Sequence, residues 1–586
     1  TRFDLTYSPT KVNLTGRERT ATAINGSVPG PVLRWREGDT VTLSVTNYLP
    51  EDTSIHWHGV ILPSSQDGVP HVSDGFKGIR PGETFTYRFP VIQSGTFWYH
   101  SHSGFQEQTG SYGAIVIDPR EPEPFGYDRD YVVVLSDWSD EAPHRIYAKL
   151  KKLSDYYNFR ERTVGETIAG IREEGWTAYF AGRAMWNQMR MSDRDISDVT
   201  GYTYTFLMNG VPPTEGWLGP FKRGERLRLR FINAAAMTFF DVRIPGLKMR
   251  VVAADGRYVE PVTVDEFRMG VAETYDVLVE PKDDRAYTVF AQAIDRSGYA
   301  RGTLTPHPSL TADVPPMDPA PSLTHRDMGM RMGMGHGHGG HAGHDMGGMD
   351  HSQHASHDMG EIDHSQHTGH DMGGMDHSQH AGHDMGGMDH SQHAGHDRSP
   401  RPSVGSGRAG YGSSRPVVHA RSEHGPQVDM RADNPRYQLD DPGVGLRNNG
   451  RRVLTYADLR RLGPTDDPRE PEREIDLHLT GNMSRYMWSM NGIKFADAEP
   501  LPLKYGERVR INLVNDTMMN HPIHLHGMWS DLETGDGERI PRKHTVIVQP
   551  GARISYLVTA DAMGGWAYHC HLLYHMPGMF RKVVVS

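Results

Sequence analysis

The sequence predicts an all-β fold made of three copies of one β-sandwich module, and two observations carry that expectation. One strand pattern occurs three times: Gly38 to Asn47, Gly224 to Asn233 and Gly506 to Asn515 each run nine residues from Gly to Asn. Apolar residues alternate inside each (Val41, Leu43, Val45; Leu227, Leu229, Phe231; Val509, Ile511, Leu513), the period of a strand with one face buried. An Asn-Gly pair, the commonest signal of a two-residue hairpin turn, precedes each copy at Asn25-Gly26, Asn209-Gly210 and Asn491-Gly492. A chain of 586 residues has room for such a repetition.

Taken in order, the modules span 1–120, 121–305 and 450–586. The second carries an insertion at about 141–197, rich in Ala, Glu, Arg and Met, whose apolar spacing predicts helices. Residues 306–449 read as a linker, with Pro, Ser, Gly and Arg concentrated in Pro306–Pro321 and Arg398–Arg421. Inside it, residues 328–397 hold 16 of the 34 His and 11 of the 29 Met. Asp350, Asp363, Asp376 and Asp389 each open a copy of Asp-His-Ser-Gln-His, a repeat of 13 residues. With no aromatic residue to bury, this block is expected to be disordered.

Composition excludes several classes. Lys+Arg 62 against Asp+Glu 73 gives a net charge of −11, so no basic face for nucleic acid is implied. No apolar run approaches the length of a membrane span. A single cysteine rules out an intrachain disulfide.

Chemistry enters through four short motifs in the first and third copies: His56-Trp-His58, His100-Ser-His102, His521-Pro-Ile-His524-Leu-His526 and His569-Cys570-His571-Leu-Leu-Tyr-His575. On a strand, residues i and i+2 share a face, so each His-x-His delivers two imidazoles to one place. His56, His58, His100, His102, His524, His526, His569 and His571 make eight, more than one tetrahedral ion can use and suited to a cluster of ions. His521, Cys570, His575 and a Met just beyond make the ligand set of a blue-copper electron-transfer site. Cys570 would belong to that site and its two neighbours to the cluster, so the backbone joins them. Gly95 to His102 aligns with Gly565 to His571, placing Ser101 where the third copy has Cys570. Only the third copy can then hold blue copper. The second copy has Ala234-Ala-Ala-Met237 and Tyr287-Thr-Val-Phe290 at the equivalent places, without His, and is expected to act as spacer and wall. The other eight His (His71, His144, His307, His325, His419, His424, His478 and His544) are expected to be surface or core residues.

These motifs, in this order, resemble the multicopper oxidases, a group that includes laccases, ascorbate oxidase and cuprous oxidases. The Met/His repeats, the stretch Asn482 to Gly492 and Met518-Met519-Asn-His521 are similar to the bacterial periplasmic copper-resistance protein A family. The resemblance implies three cupredoxin-like Greek-key domains and four copper ions. Type 2 copper would be held by His56 and His524, the type 3 pair by His58, His100, His102, His526, His569 and His571, and type 1 copper by His521, Cys570 and His575. The axial Met usually lies ten residues after the Cys. That position is Phe580 here, so Met579 at nine is favoured, with Met576 as the alternative. Asp67, eleven residues after His56, matches a carboxylate that helps proton delivery; read alone, Asp67-Gly68 is a turn. Some cuprous oxidases have Glu where this chain has Met576, and Glu107 is the candidate substitute.

The resemblance further implies oxidation of Cu(I), or of a phenolic reductant, coupled to reduction of dioxygen to water, with Cys570, His569 and His571 as the electron path. Thioether sulfur favours Cu(I) and imidazole tolerates both states, which suits the Met/His repeats to capture of additional labile copper. Met483, Met487, Met490, Met518 and Met519 could form a Cu(I) docking site; Met487 and Met490 could equally fill the core. A copper-sequestering protein with incidental oxidase activity is the alternative, and another periplasmic copper carrier could be a partner. The chain begins at Thr1 without Met, as an exported, processed protein would, and the resemblance implies the periplasm.

Overall fold

The computed structural model describes residues 1–329 and 404–586, and the strands among them form three pairs of sheets. Residues 2–118 contribute two four-stranded sheets, residues 129–305 a six- and a five-stranded sheet, and residues 436–585 a seven- and a five-stranded sheet. The three repeated segments are equivalent strands, Thr40–Asn47, Leu227–Asn233 and Arg508–Asn515. Each pairs in parallel with the first long strand of its module (Arg2–Asn13, Arg129–Ser139, Arg473–Asn482) and antiparallel with a later one (Thr84–Pro90, Thr274–Val279, Ala552–Thr559). All three Asn-Gly pairs have both residues at positive φ, as a type I′ turn requires (Asn25 51°, Gly26 76°; Asn209 52°, Gly210 76°; Asn491 53°, Gly492 70°).

The expectation of one buried face holds for Thr40–Asn47, whose residues alternate between buried and partly exposed positions. It fails for the other two strands, which are buried at every residue. Their intervening arginines are covered and paired: Arg228 with Asp276 at 2.6 Å, Arg230 with Asp130 at 2.6 Å, Arg508 with Asp531 at 3.0 Å and Arg510 with Glu533 at 2.8 Å. A guanidinium can be enclosed only with such a partner. Alternating Arg therefore marks a second covered face here, which charge alone would not suggest.

The insertion in the second module forms helices Pro143–Lys152, Val164–Glu174 and Trp176–Met189, the second opened by a capping box between Thr163 and Glu166. Residues 404–449 lie against the third module: Met430, Ala432, Leu439 and Leu446 are buried, and Arg436–Tyr437 pairs with Ala552–Thr559. The Met/His-rich block lies outside the described residues except for Met328 and Gly329. Met328 is buried in the core, and a Cβ on Gly329 would lie 2.3 Å from the Gly551 carbonyl oxygen, so those two residues belong to the packed body. No helix among the described residues is long and apolar enough to cross a membrane.

Candidate metal centre

The His motifs lie on strands whose pairing brings them together. His56–His58 runs antiparallel to Gly95–His100 with His56 opposite His100, and His521–Leu525 runs antiparallel to Gly564–Cys570 with His524 opposite His569. His102, His526 and His571 fall one or two residues past their strand ends. His102 is partly exposed and the other seven imidazoles of the set are buried. Four come from the first module and four from the third.

Three triplets have candidate ligand atoms within 4.8 Å of one another: His56, His58 and His524; His58, His100 and His571; His102, His526 and His569. Within the last two, His571 Nε2 lies 3.3 Å from His100 Nε2, and His526 Nε2 lies 3.0 Å from His569 Nε2. The other ring nitrogens are engaged elsewhere. His100 Nδ1 faces the Ser101 carbonyl at 3.0 Å and Glu107 Oε2 at 3.1 Å, His569 Nδ1 faces the Cys570 carbonyl at 3.0 Å, and His524 Nδ1 faces the His544 carbonyl at 2.5 Å. With the proton on Nδ1 for these acceptors, Nε2 presents a lone pair.

Burial, reinforced by mutual repulsion, holds His58, His100, His102, His524, His526 and His571 well below the usual imidazole range, and His569 at about 4. Neutral rings aim lone pairs at one another, an arrangement that calls for cations between them. His56 Nε2, His524 Nε2, His102 Nε2 and His58 Nδ1 are buried with no hydrogen-bond partner. Such orphaned acceptors are rare in proteins, and their convergence fits a metal cluster.

Asp67 spans the two modules. Its Oδ2 lies 2.9 Å from His526 Nδ1 and its Oδ1 3.1 Å from His56 Nδ1, while its backbone carbonyl also meets His56 Nδ1 at 2.9 Å. The turn at Gly68 exists too, with φ of 82°; a Cβ there would lie 1.8 Å from the Ile55 carbonyl oxygen. Turn and carboxylate are thus one device, the tight backbone placing the side chain between two imidazoles. Glu107 is fully enclosed beside His100, with its Oε1 3.8 Å from His571 Nδ1; burial and the Asp137 charge push its carboxyl well above the usual range.

A second set lies on the other side of Cys570. Cys570 Sγ is 3.5 Å from His521 Nδ1 and 3.8 Å from His575 Nδ1, and the two nitrogens are 3.4 Å apart. A trigonal ion with bonds of about 2.3 Å to sulfur and about 2.0 Å to nitrogen would set these separations near 3.7 and 3.5 Å. The triangle fits. Burial pushes the Cys570 thiol up, so a metal there must displace its proton. His521 Nε2 meets Thr517 Oγ1 at 2.7 Å, and His575 Nε2–H donates to Asp198 Oδ2 at 2.6 Å. Each anchor turns Nδ1 toward the sulfur, the outer-shell support that metal-bound histidines receive. Met579 is fully buried; its amide donates to the His575 carbonyl at 2.9 Å and its carbonyl accepts from the Cys570 amide at 3.0 Å. Met576 is partly exposed.

The Trp488 ring stacks on His575 at 3.8 Å and 22°. Beyond it opens a cavity of about 650 Å³ lined by His575, Trp488, Met487, Tyr147, Lys151 and Asp497, among others. Met487 is 39% exposed on this wall, whereas Met483, Met490, Met518 and Met519 are buried and do not line it.

The second module carries no imidazole to either set but closes around them. The Leu573 amide donates to the Ala236 carbonyl at 3.0 Å, and Asp137 holds the Ala236 and Met237 amides at 2.8 and 3.0 Å. Asp198 was not marked by any sequence signal, since it follows the helical insertion far from the His motifs. His419 and His478, expected as ordinary surface or core residues, sit together with Glu423 and Asp516. His544, likewise unmarked, is buried with its ring 4.7 Å from that of His58.

Comparison with known proteins places these features in context. Three family models described as multicopper oxidase match residues 6–122, 129–309 and 468–586. Copper resistance protein A of Escherichia coli is 59% identical over 100% of this chain and 93% of the relative, and that of Pseudomonas syringae pv. tomato is 60% identical with the same coverage. Solved structures of Fet3p, a multicopper oxidase that functions in iron import, and of laccase from Botrytis aclada share the fold. Their TM-scores are 0.62 and 0.61 at 17% and 19% identity, each over 100% of this chain and covering 90% and 88% of theirs.

Proposed function

Because this chain belongs to the multicopper oxidase family and is a relative of copper resistance protein A, we propose that it oxidises Cu(I) at the Cys570 site and reduces dioxygen to water between its first and third modules, in the service of copper resistance. The observation that carries this reading is the pair of ligand sets joined through Cys570: a cysteine triangle on one side, eight converging imidazoles on the other. When bound, copper supplies one-electron acceptance at the first and the multi-electron chemistry of dioxygen at the second.

The residues divide the remaining work. His521, Cys570 and His575 would hold type 1 copper, and Met579 would add its thioether, a reading supported by its burial and its backbone bonds to Cys570 and His575. His56 and His524 hold type 2 copper through their unpartnered Nε2 atoms. His58, His100 and His571 hold one type 3 ion, and His102, His526 and His569 the other. His569 and His571 are covalent neighbours of Cys570, so one peptide unit on either side would link the two copper centres for electrons. Asp67 orients His56 and His526 and relays protons to the cluster from its carboxylate oxygens.

Copper(I) would approach through the cavity beside His575, where Met487 offers an accessible thioether. Met487→Ser is expected to raise KM for Cu(I) by about 3- to 10-fold while phenol oxidation is unchanged, as parallel steady-state assays would show. The aromatic wall of Tyr147 and Trp488 favours a phenolic reductant as the second reading, and a phenol kcat/KM above that for Cu(I) would select it. Asp198→Asn removes the negative charge on His575 Nε2–H, which favours Cu(II) over Cu(I). Redox titration of the blue band should therefore give a higher potential in the variant.

The Met/His repeats would capture additional copper at a periplasmic location. Deleting residues 330–397, which spares the packed Met328 and Gly329, is expected to reduce bound copper toward four per chain in metal analysis; equal copper contents in the two proteins would count against capture. The overall reading is tested by oxygen uptake with Cu(I). Consumption of one dioxygen per four Cu(I) without hydrogen peroxide is expected, and no uptake would leave only sequestration.

A further inference from the structure

Apart from the two centres above, four ligand-type side chains converge where residues 404–449 meet the third module. His419 and Glu423 come from that stretch, His478 from the strand Arg473–Asn482, and Asp516 from the residue after Arg508–Asn515. Their side chains are 16%, 1%, 3% and 0% exposed. His419 Nδ1 lies 3.0 Å from Glu423 Oε2 and 3.4 Å from Asp516 Oδ2, and His478 Nδ1 lies 3.2 Å and 2.7 Å from the same two oxygens. Two nitrogens and two oxygens thus form a closed ring in which each nitrogen faces both carboxylates.

Two carboxylates this close and this buried need two positive charges. One divalent cation supplies them, as do two imidazolium rings; what points to the cation is the convergence of all four donors on one place. His419 Nε2 faces the Ala432 carbonyl at 3.3 Å, while the Ala432 amide donates to Asp516 Oδ1 at 2.7 Å. In the metal-free protein the Asp516 and Glu423 carboxylates hold His419 protonated, its pKa pushed up to about 10; a divalent ion would displace that proton and take the Nδ1 lone pair. The backbone of one residue therefore orients an imidazole and a carboxylate toward the same point, the outer-shell arrangement of metal sites. A tetrahedral ion with bonds of about 2.0–2.1 Å has ligand–ligand edges of about 3.4 Å, so three of the four observed edges fit within about 0.4 Å and the His478–Asp516 edge must open by about 0.7 Å.

We propose that His419, Glu423, His478 and Asp516 form a further metal site, for a divalent d-block cation of the Cu(II) or Zn(II) type, that staples the 404–449 stretch to the third module. Two imidazoles and two carboxylates accept either ion, with Cu(II) higher in intrinsic affinity. The site is separate from the catalytic reading and stands without it. It also bears on the position of His521: Asp516 directly precedes Thr517, whose hydroxyl meets His521 Nε2, so an ion here fixes the loop that carries a blue-copper ligand.

The test is equilibrium dialysis against Zn(II) of the full-length protein carrying its four catalytic copper ions, with copper in excess of four removed by chelator beforehand, compared with His419→Gln/Glu423→Gln. Zn(II) held by the repeats is common to both proteins and cancels. One Zn(II) fewer per chain in the variant, and a Zn(II)-induced rise in Tm confined to the unmodified protein, are expected. Equal Zn(II) contents would overturn the site and assign the cluster to imidazolium–carboxylate pairing. Should the variant lose its blue band and prove misfolded, anomalous diffraction at the zinc edge from Zn(II)-soaked crystals of the unmodified protein decides. A peak among the four side chains supports the site and its absence overturns it.

Discussion

Cys570→Ser is expected to abolish the blue colour of the copper-loaded protein and to lower turnover by about 10³-fold or more, above 4 kcal/mol in barrier terms. The eight-imidazole cluster should still take up copper. Cys570 Sγ is the one soft donor in its triangle with His521 and His575, and a serine oxygen is both harder and shorter in reach. The chain carries its own control. In the first module Ser101 occupies the equivalent position and donates to Gln106 Oε1 at 2.8 Å, an ordinary hydrogen bond beside no second ligand set. Visible absorption near 600 nm (~, the region of thiolate-to-Cu(II) charge transfer) and oxygen uptake measure the two halves of the prediction. Turnover within a factor of about ten of the unmodified protein would show that electrons bypass Cys570.

Asp67→Asn should weaken copper binding at the cluster by about 10- to 100-fold and leave the blue band in place. Asp67 offers one carboxylate oxygen to His56 Nδ1 and the other to His526 Nδ1. Asparagine has one acceptor and a donating NH₂, so one buried imidazole N–H would face another donor. An unsatisfied buried donor costs about 1–3 kcal/mol, which converts to about the same 10- to 100-fold. Metal analysis and the type 2 signal in electron paramagnetic resonance measure the loss. Full copper occupancy with unchanged turnover would reduce Asp67 to a turn residue.

Much of this molecule was legible in its sequence because its repeating parts are local. The three Gly-to-Asn strands and the three Asn-Gly turns announce themselves through period and φ preference, and the all-β fold follows. The His-x-His spacing works by the same rule, since strand geometry sends both rings to one side. What the sequence hid depends on partners far along the chain. Asp198 reaches His575 across 377 residues, and nothing in its neighbourhood marks it. Asp67 was visible by spacing, but its bridging of two modules required the seam between them. The methionines divide for the same reason. Met487 and Met490 lie three apart on one short strand and so on opposite faces, and only the packing shows that Met490 is enclosed while Met487 opens on the cavity. Alternation on Leu227–Asn233 and Arg508–Asn515 suggested one solvated face. Acidic partners distant in sequence bury the arginines instead.

The central claim is that Cys570 joins an outer copper to a three-copper cluster lying between the first and third modules. Anomalous diffraction at the copper edge from crystals of the loaded protein tests it most directly. One peak inside the triangle of His521, Cys570 and His575 and three among the eight imidazoles are expected. An empty cluster between the modules, or a triangle without copper in a protein that still oxidises its substrate, would contradict it.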